Sequence, residues 1–216
     1  RKNPSANAGV ESILKSQPGV NSNSELSTQY SVRGGSYDEN LVYVNEVEIY
    51  RPFLVRSGQQ EGLSFTNTSM VQGISFSSGG YQAKYGDKMS SALDITYRRP
   101  TDFGFEIDAS ILGGGVTVDW ASKNGKLSTM NGVRYRNNKL LVNSQDVDSE
   151  YSPRFLDFQS LWSYQPNSKW DVTFLGNITK NVYDFQPQSR VTNFGTVTEP
   201  KQMVINYQGR ELDEYQ

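Results

Sequence analysis

The 216-residue chain carries 21 Lys and Arg against 23 Asp and Glu, and because the basic residues are dispersed, its formal charge of −2 argues against a nucleic-acid partner. Without any His or Cys, the sequence lacks the commonest general base, metal ligand and thiolate nucleophile, so we predict no enzyme, no catalytic residue, no metal and no cofactor. No apolar run is long enough to cross a bilayer as a helix, although aromatic residues reach 12% of the sequence.

The chain opens with a helical pattern between Pro4 and Lys15. Four apolar residues recur there at helical spacing: Ala6, Val10, Ile13 and Leu14. The segment Gln17-Pro18-Gly19 then ends the helix, because proline and glycine both disfavour its continuation. We therefore predict one short helix at the start of the chain.

Short apolar runs follow between Val20 and Tyr97. They lie at residues 30–32, 41–49, 74–76 and 93–97. Each run is bounded by Gly, Ser, Asn or Pro, which is typical of small strands joined by loops. With the helix, these runs predict a compact α+β unit that ends at Arg98-Arg99-Pro100.

After residue 100, apolar and polar residues alternate with a period of two, the pattern of strands with one apolar face. Predicted strands cover residues 103–111, 116–120, 127–136, 156–164 and 169–183. We interpret Gly113–Gly115 as a break after the first strand, Asn124-Gly125 as a hairpin turn and Pro166–Ser168 as a second short turn. A long polar connection, residues 137–153, joins the third strand to the fourth.

This second part has two features of outer-membrane β-barrels. Strands of roughly 9–15 residues suit a tilted bilayer crossing, and short connections alternate with long ones. Trp120, Trp162 and Trp170 all lie next to the short turns and in register with the apolar face, as in an interfacial aromatic girdle. The alternative is a secreted or surface β-rich module for binding or adhesion, whose apolar faces would pack against each other.

Residues 1–100 resemble the plug domain of TonB-dependent receptors through four motifs in the family's order. The motifs are the helix ending in Pro18-Gly19-Val20, the strand with Arg33-Gly34, the strand 41–49 in which Asn45-Glu46 replaces the usual Asp-Gly, and the segment 74–95. Details of the last motif, Gly79-Gly80-Tyr81, Tyr85-Gly86 and Ser90–Ile95, are similar to the Bacteroidetes branch of the family.

The resemblance implies an α+β plug domain, residues 1–100, followed by antiparallel β-strands of an incomplete transmembrane β-barrel, residues 101–216. It implies a receptor in the outer membrane of a Gram-negative bacterium that imports a siderophore, cobalamin, glycan or peptide. Its partners would be the inner-membrane TonB complex, the nutrient ligand, outer-membrane lipid and a surface lipoprotein. The coupling segment would precede Arg1, and the rest of the barrel would follow Gln216. Short turns would face the periplasm.

Two groups of residues are candidates for function under this resemblance. Plug–barrel contacts are expected at Arg33, Gly34, Tyr85 and Gly86, with Arg33 paired to acidic residues of the barrel wall unless it is simply solvated. The loop after strand 41–49 leads to the outward apex of the plug in the family. Its candidates for substrate binding are Arg51, Phe53 and Arg56, although the same loop could instead pack against the barrel wall.

Overall fold

The computed structural model of the chain describes residues 9–22, 29–50, 64–137, 151–185, 188–195, 200–207 and 210–215. Its first part contains one helix and six short strands, which we call the α+β unit. The helix is α1 (Val10–Leu14), and the strands are β1 (Val20–Asn21), β2 (Ser31–Val32), β3 (Asn40–Val44), β4 (Val47–Glu48), β5 (Val71–Ser77) and β6 (Ser91–Tyr97). Two 3-10 helices cover Tyr37–Glu39 and Thr68–Met70. Within these described ranges, none of the helices has the length and apolar character needed to cross a membrane.

The α+β unit is organised around a four-stranded sheet in the order β4-β3-β6-β5. β3 runs parallel to β6, and the other pairs are antiparallel. The central strands contribute the fully buried Val44 and Ile95, and α1 packs Val10 and Leu14 into the same hydrophobic core. The predicted runs 41–49, 74–76 and 93–97 supply the strands of this sheet, whereas the run 30–32 forms β2, which pairs with β1 in a separate two-stranded sheet.

A two-residue turn joins β3 to β4. Its residues, Asn45 and Glu46, have φ angles of 48° and 67°, in the left-handed region. Asn45 tolerates this conformation, and its side-chain oxygen accepts a hydrogen bond of 2.7 Å from the Tyr97 amide. Glu46 is exposed and gains no such bond in the described residues, so the turn is formed at the expense of backbone strain at Glu46.

We expect Glu46→Gly to stabilise the α+β unit by about 0.5–1 kcal/mol, because glycine adopts positive φ without steric cost. Glu48→Gly, two residues further on in β4, is the matched control and should destabilise by about 0.5–1 kcal/mol, since glycine weakens a strand. Urea unfolding of both variants, followed by circular dichroism, tests the pair. Equal losses of stability in the two would contradict the strain at Glu46.

The second part is an antiparallel sheet of six strands, which we call the strand wall, in the order β14-β11-β10-β9-β8-β7. Its strands are β7 (Gly104–Ser110), β8 (Gly113–Ala121), β9 (Leu127–Asn137), β10 (Tyr151–Asn167), β11 (Trp170–Phe185) and β14 (Arg210–Tyr215). A separate hairpin, β12 (Gln188–Gly195) with β13 (Pro200–Tyr207), lies between β11 and β14 in the chain. In the described residues the wall is open, with β7 and β14 at its edges.

All five predicted strands are present, but the predicted number of five is wrong. β14 pairs with β11 from Lys180↔Tyr215 to Phe185↔Arg210, so the last predicted strand has a neighbour that the sequence did not reveal. The sequence of β14, Arg-Glu-Leu-Asp-Glu-Tyr, is too highly charged to show an apolar face. Its strand conformation depends on hydrogen bonds to β11.

The prediction of a break at Gly113–Gly115 is also wrong, because these glycines belong to β8. Only Ile111 and Leu112 separate β7 from β8. A Cβ atom at Gly114 would lie 2.7 Å from the Asp108 carbonyl oxygen, and one at Gly113 would lie 2.1 Å from that of Tyr135. Glycine is therefore required for the close approach of the neighbouring strands.

Candidate functional site: the contact between the strand wall and the α+β unit

The two faces of the strand wall have opposite chemistry. On β10 the odd-numbered Asp157 and Gln159 are fully buried, whereas the even-numbered Leu156, Phe158 and Trp162 are 40–49% exposed. One apolar row crosses five strands of the exposed face through direct register partners: Ile107, Val116, Val133, Phe158 and Ile178. A sheet in a soluble protein buries its apolar face and exposes its polar face. The strand wall does the opposite, and we call this arrangement inverted.

The three tryptophans lie together at one end of the exposed face. Trp120 and Trp162 are both register partners of Thr129, and Trp162 is also the partner of Phe174 on the next strand. Trp170 directly follows the tight turn between β10 and β11. The register therefore places the aromatic side chains in a band beside the two tight turns, as the sequence predicts.

The buried face of the wall is organised around an ion pair between neighbouring strands. Arg134 on β9 donates to Asp157 Oδ2 from Nε at 2.9 Å and from Nη2 at 2.5 Å. The other carboxylate oxygen, Oδ1, accepts hydrogen bonds from Asn177 Nδ2 at 2.5 Å and Thr179 Oγ1 at 3.0 Å on β11. Both oxygens of the fully buried Asp157 are thus satisfied, which a buried charge requires.

Arg134 also binds the α+β unit directly. Its guanidinium donates to three successive carbonyl oxygens, those of Ser64 at 3.0 Å, Phe65 at 3.2 Å and Thr66 at 2.7 Å. Phe65 and Thr66 lie in a bend and Ser64 in an isolated β-bridge, so the segment is not part of an extended strand, and the Arg134 side chain supplies hydrogen bonds to its carbonyl oxygens. The planar guanidinium suits this role because its five N–H groups are fixed in one fork.

Gln159 and Tyr97 extend the contact to the next peptide group. Gln159 Nε2 donates to the Phe65 carbonyl oxygen, and its Oε1 accepts a bond of 2.9 Å from the Tyr97 hydroxyl. That hydroxyl accepts a bond of 3.1 Å from the Asn67 amide. Burial raises the pKa of Tyr97, so its hydroxyl keeps the proton that it donates to Gln159. The wall therefore holds the backbone of residues 64–67, which we call the anchored segment.

A second contact lies at the tight-turn end, where β6 leads into β7. Arg98 Nη2 lies 2.8 Å from Asp119 Oδ2. Arg99 forms a bidentate ion pair with Asp171, in which Nη1 and Nη2 donate to the two carboxylate oxygens at 2.9 and 2.6 Å. The Arg99–Asp171 pair is about half exposed, so water screens it and we assign it little stability. These pairs fix the direction in which the chain leaves the α+β unit.

Glu11 on α1 is a buried carboxylate close to the anchored segment. Its Oε1 accepts a hydrogen bond of 2.5 Å from Ser64 Oγ, and the side chain is 4% exposed. Burial raises the pKa of Glu11, while the Ser64 hydrogen bond and the charges of Arg134 and Lys15 act in the opposite direction. Burial of the Glu11 carboxylate beside the contact therefore disfavours its charged form.

We expect the stability of the chain to depend on the protonation of Glu11. Because the folded-state pKa is raised, protonated Glu11 contributes stability that is complete below the unfolded pKa of about 4.5 and is lost as the pH rises through the folded pKa. Lowering the pH from 8 to 5 should therefore stabilise the wild type relative to Glu11→Gln. Unfolding temperatures of both across this range test the prediction, and a pH-independent difference would refute it.

The sequence-predicted contact residues lie elsewhere in the α+β unit. Arg33 is exposed and lines an open cavity of about 400 Å³ with Gly34 and Glu39, and in the described part of the chain no ion pair joins it to the strand wall. Its pairing with barrel acids stays a prediction. The Tyr85 hydroxyl donates to Asp94 within the unit, and a Cβ atom at Gly86 would meet no atom within 4 Å.

The other predicted residues lie outside the described ranges, and the residues that form the contact were not predicted from the sequence. The substrate candidates Arg51, Phe53 and Arg56 lie outside the described residues. Arg134, Asp157 and Gln159 were not predicted, although all three lie on the polar face of strands with a clear period of two. Their only sequence signal is charge or amide character on that face, which solvent-facing strand positions share.

Comparison with known proteins agrees with this architecture. Residues 3–92 match the family model described as the TonB-dependent receptor plug domain, whereas no curated protein sequence matches the chain. The crystal structure of the siderophore receptor PirA from Pseudomonas aeruginosa superposes with a TM-score of 0.58 and 19% identity, over 100% of this chain and 39% of that receptor. The chain thus spans about two fifths of that receptor's length. Residues 3–92 are thus similar to the plug domain of TonB-dependent receptors, and the chain shares its fold with the matching part of a siderophore receptor.

Proposed function

We propose that the chain is part of an outer-membrane receptor that imports a nutrient ligand in an energy-coupled step and catalyses no reaction. The observation that carries the proposal is the inverted strand wall, which buries Asp157 and Gln159 against the plug and exposes an apolar face. A wide barrel has a polar lumen that must be filled, and lipid covers its apolar outside. The α+β unit is then the plug, and the tryptophan band lies at the membrane interface.

The coupling partner in this proposal is the inner-membrane TonB complex, which would act on residues before the plug. The ligand class stays open among siderophores, cobalamin, glycans and peptides, because a shared fold at 19% identity carries no ligand with it. Arg51, Phe53 and Arg56 remain the proposed substrate contacts, and outer-membrane lipid the proposed surroundings of the wall. A Bacteroidetes-like origin and a surface lipoprotein partner rest on the sequence resemblance alone.

The alternative of a secreted or surface β-rich module requires a different packing. Such a module would place the apolar faces of its strands against each other. In the described residues, Phe105, Val172 and Phe174 on the apolar face are 53–62% exposed. The exposed face favours the receptor.

A growth experiment tests the proposed function. A strain whose receptor gene has been deleted is compared with the complemented strain on four limiting nutrients: a ferric siderophore, cobalamin, a glycan and a peptide. We expect the receptor to support growth on at least one of them, and we expect deletion of TonB to abolish that growth. Growth that needs the receptor but persists without TonB would contradict energy coupling, and no receptor-dependent growth on any of the four would contradict the import of these nutrients.

A further inference from the structure

Ser64 makes two contacts that together join α1 to the strand wall. Its hydroxyl donates to Glu11 Oε1 at 2.5 Å, and its carbonyl oxygen accepts from Arg134 Nη2 at 3.0 Å. In the residues that the structure describes, neither a hydrogen bond nor an ion pair joins Glu11 to Arg134 directly. The helix therefore bonds the side chain of Ser64, and the wall bonds its backbone.

The geometry leaves Ser64 little freedom to exchange these partners. The residue is 3% exposed, and its hydroxyl also accepts a bond of 3.1 Å from the Thr66 amide. Water cannot readily replace a bond that is broken at this depth, so loss of one partner leaves a buried polar group unsatisfied. A shift of α1 therefore disturbs the backbone of Ser64, which Arg134 binds. Conversely, when the bond from Arg134 to Ser64 breaks, Ser64 is no longer held beside Glu11.

We propose that Glu11, Ser64 and Arg134 form a latch, in which the hold of the wall on the anchored segment depends on the position of α1. This inference deepens the proposed transport function and rests on it for its purpose. α1 begins at Val10, after the first nine residues of the chain, on the side from which TonB would act. A pull on that side reaches α1 before the anchored segment, and the latch transmits the displacement to Arg134. Glu11 and Arg134 are therefore positioning residues for plug release.

A cysteine reporter measures opening of the latch without any ligand. Thr66→Cys places a thiol at a position that is 1% exposed, in a chain that has no natural cysteine. The full receptor, with any other cysteines replaced, is reconstituted in lipid vesicles and reacted with a water-soluble maleimide. Because a buried thiol reacts only when the segment opens, the labelling rate reports the opening equilibrium.

A double-mutant cycle on this reporter tests the coupling. We expect labelling to rise about 10-fold in Glu11→Ala and about 100-fold in Arg134→Met, with the double variant close to 100-fold instead of the product of about 1000-fold. Glu11→Gln keeps an oxygen that accepts from Ser64, so it should label like the wild type. Arg154→Met, at an exposed position on β10, is the matched control for Arg134→Met and should not change the rate.

Each outcome decides the proposal. Multiplicative effects in the cycle would overturn it, and so would Glu11→Gln labelling as fast as Glu11→Ala, because the link would then be electrostatic and independent of Ser64. If Arg134→Met does not fold, Arg134→Lys replaces it in the cycle. Lysine keeps the positive charge but lacks the planar guanidinium that donates to several carbonyl oxygens at once. The labelling assay needs no transport, so failure of the growth experiment and failure of the latch are separate results.

Discussion

Asp157→Ala should destabilise the receptor by about 3–5 kcal/mol, the largest effect that we expect from one substitution. Asp157 is fully buried and accepts four hydrogen bonds, two of them from Arg134. Its removal leaves the partly buried Arg134 guanidinium without the carboxylate that is bonded to it. The strands β9, β10 and β11 lose their shared polar centre, and the anchored segment loses a correctly oriented Arg134.

Thermal unfolding of the detergent-solubilised receptor, followed by its heat-dependent migration in electrophoresis, measures this loss. The matched control is the double variant Arg134→Met/Asp157→Leu, which replaces both charges by apolar groups. It should recover most of the stability of the wall, because no unpaired charge remains, but it should not recover the bonds to Ser64, Phe65 and Thr66. Equal stability of the two variants would show that the unpaired charge is not the cause.

Ile178→Arg should destabilise the strand wall in a membrane by about 2–4 kcal/mol, the cost of an arginine at mid-depth on a lipid-facing strand. Ile178 is 67% exposed and lies in the row that begins at Ile107, in the middle of the apolar face. Thr173→Arg on the same strand points to the other face, the one that carries Ser163, its register partner. A lumen-facing arginine avoids lipid, so this control should change stability little.

Folding of both variants into lipid vesicles, titrated with urea, separates the two faces. We expect Ile178→Arg to lower the urea midpoint and Thr173→Arg to leave it near that of the wild type. If Thr173→Arg is the more damaging variant, the assignment of faces is reversed and the receptor proposal is lost. If both variants are harmless, the wall does not span a membrane.

Sequence pattern predicted β7 to β11 and missed β12, β13 and β14. β7 to β11 show the alternation because one face of each strand carries apolar residues and the other carries polar ones. β14 is formed by pairing with β11, and this long-range contact leaves no local signal in a charged sequence. The short connection at Ile111–Leu112 was missed for a related reason, since glycine marks a close strand contact as readily as a loop.

The contact site was less predictable than the fold. Motif resemblance directed attention to Arg33 and Tyr85, whose hydrogen bonds to Gly19 and Asp94 lie within the α+β unit. Arg134 and Asp157 are 23 positions apart and meet because β9 and β10 pair in one particular register, Asp157 with Arg134. A polar side chain facing a lumen has the same sequence pattern as one facing solvent, so only the three-dimensional pairing distinguishes them.

The wall binds the anchored segment through its peptide oxygens, so the contact depends little on the side chains of that segment. Arg134 and Gln159 bind carbonyl groups that every amino acid possesses, so the side chains at positions 65 and 66 can change without loss of these bonds. Ser64 is the exception, because its hydroxyl is used. A plug from a different receptor could therefore be grafted into this wall, provided that its backbone follows the same path and keeps a hydroxyl at that single position.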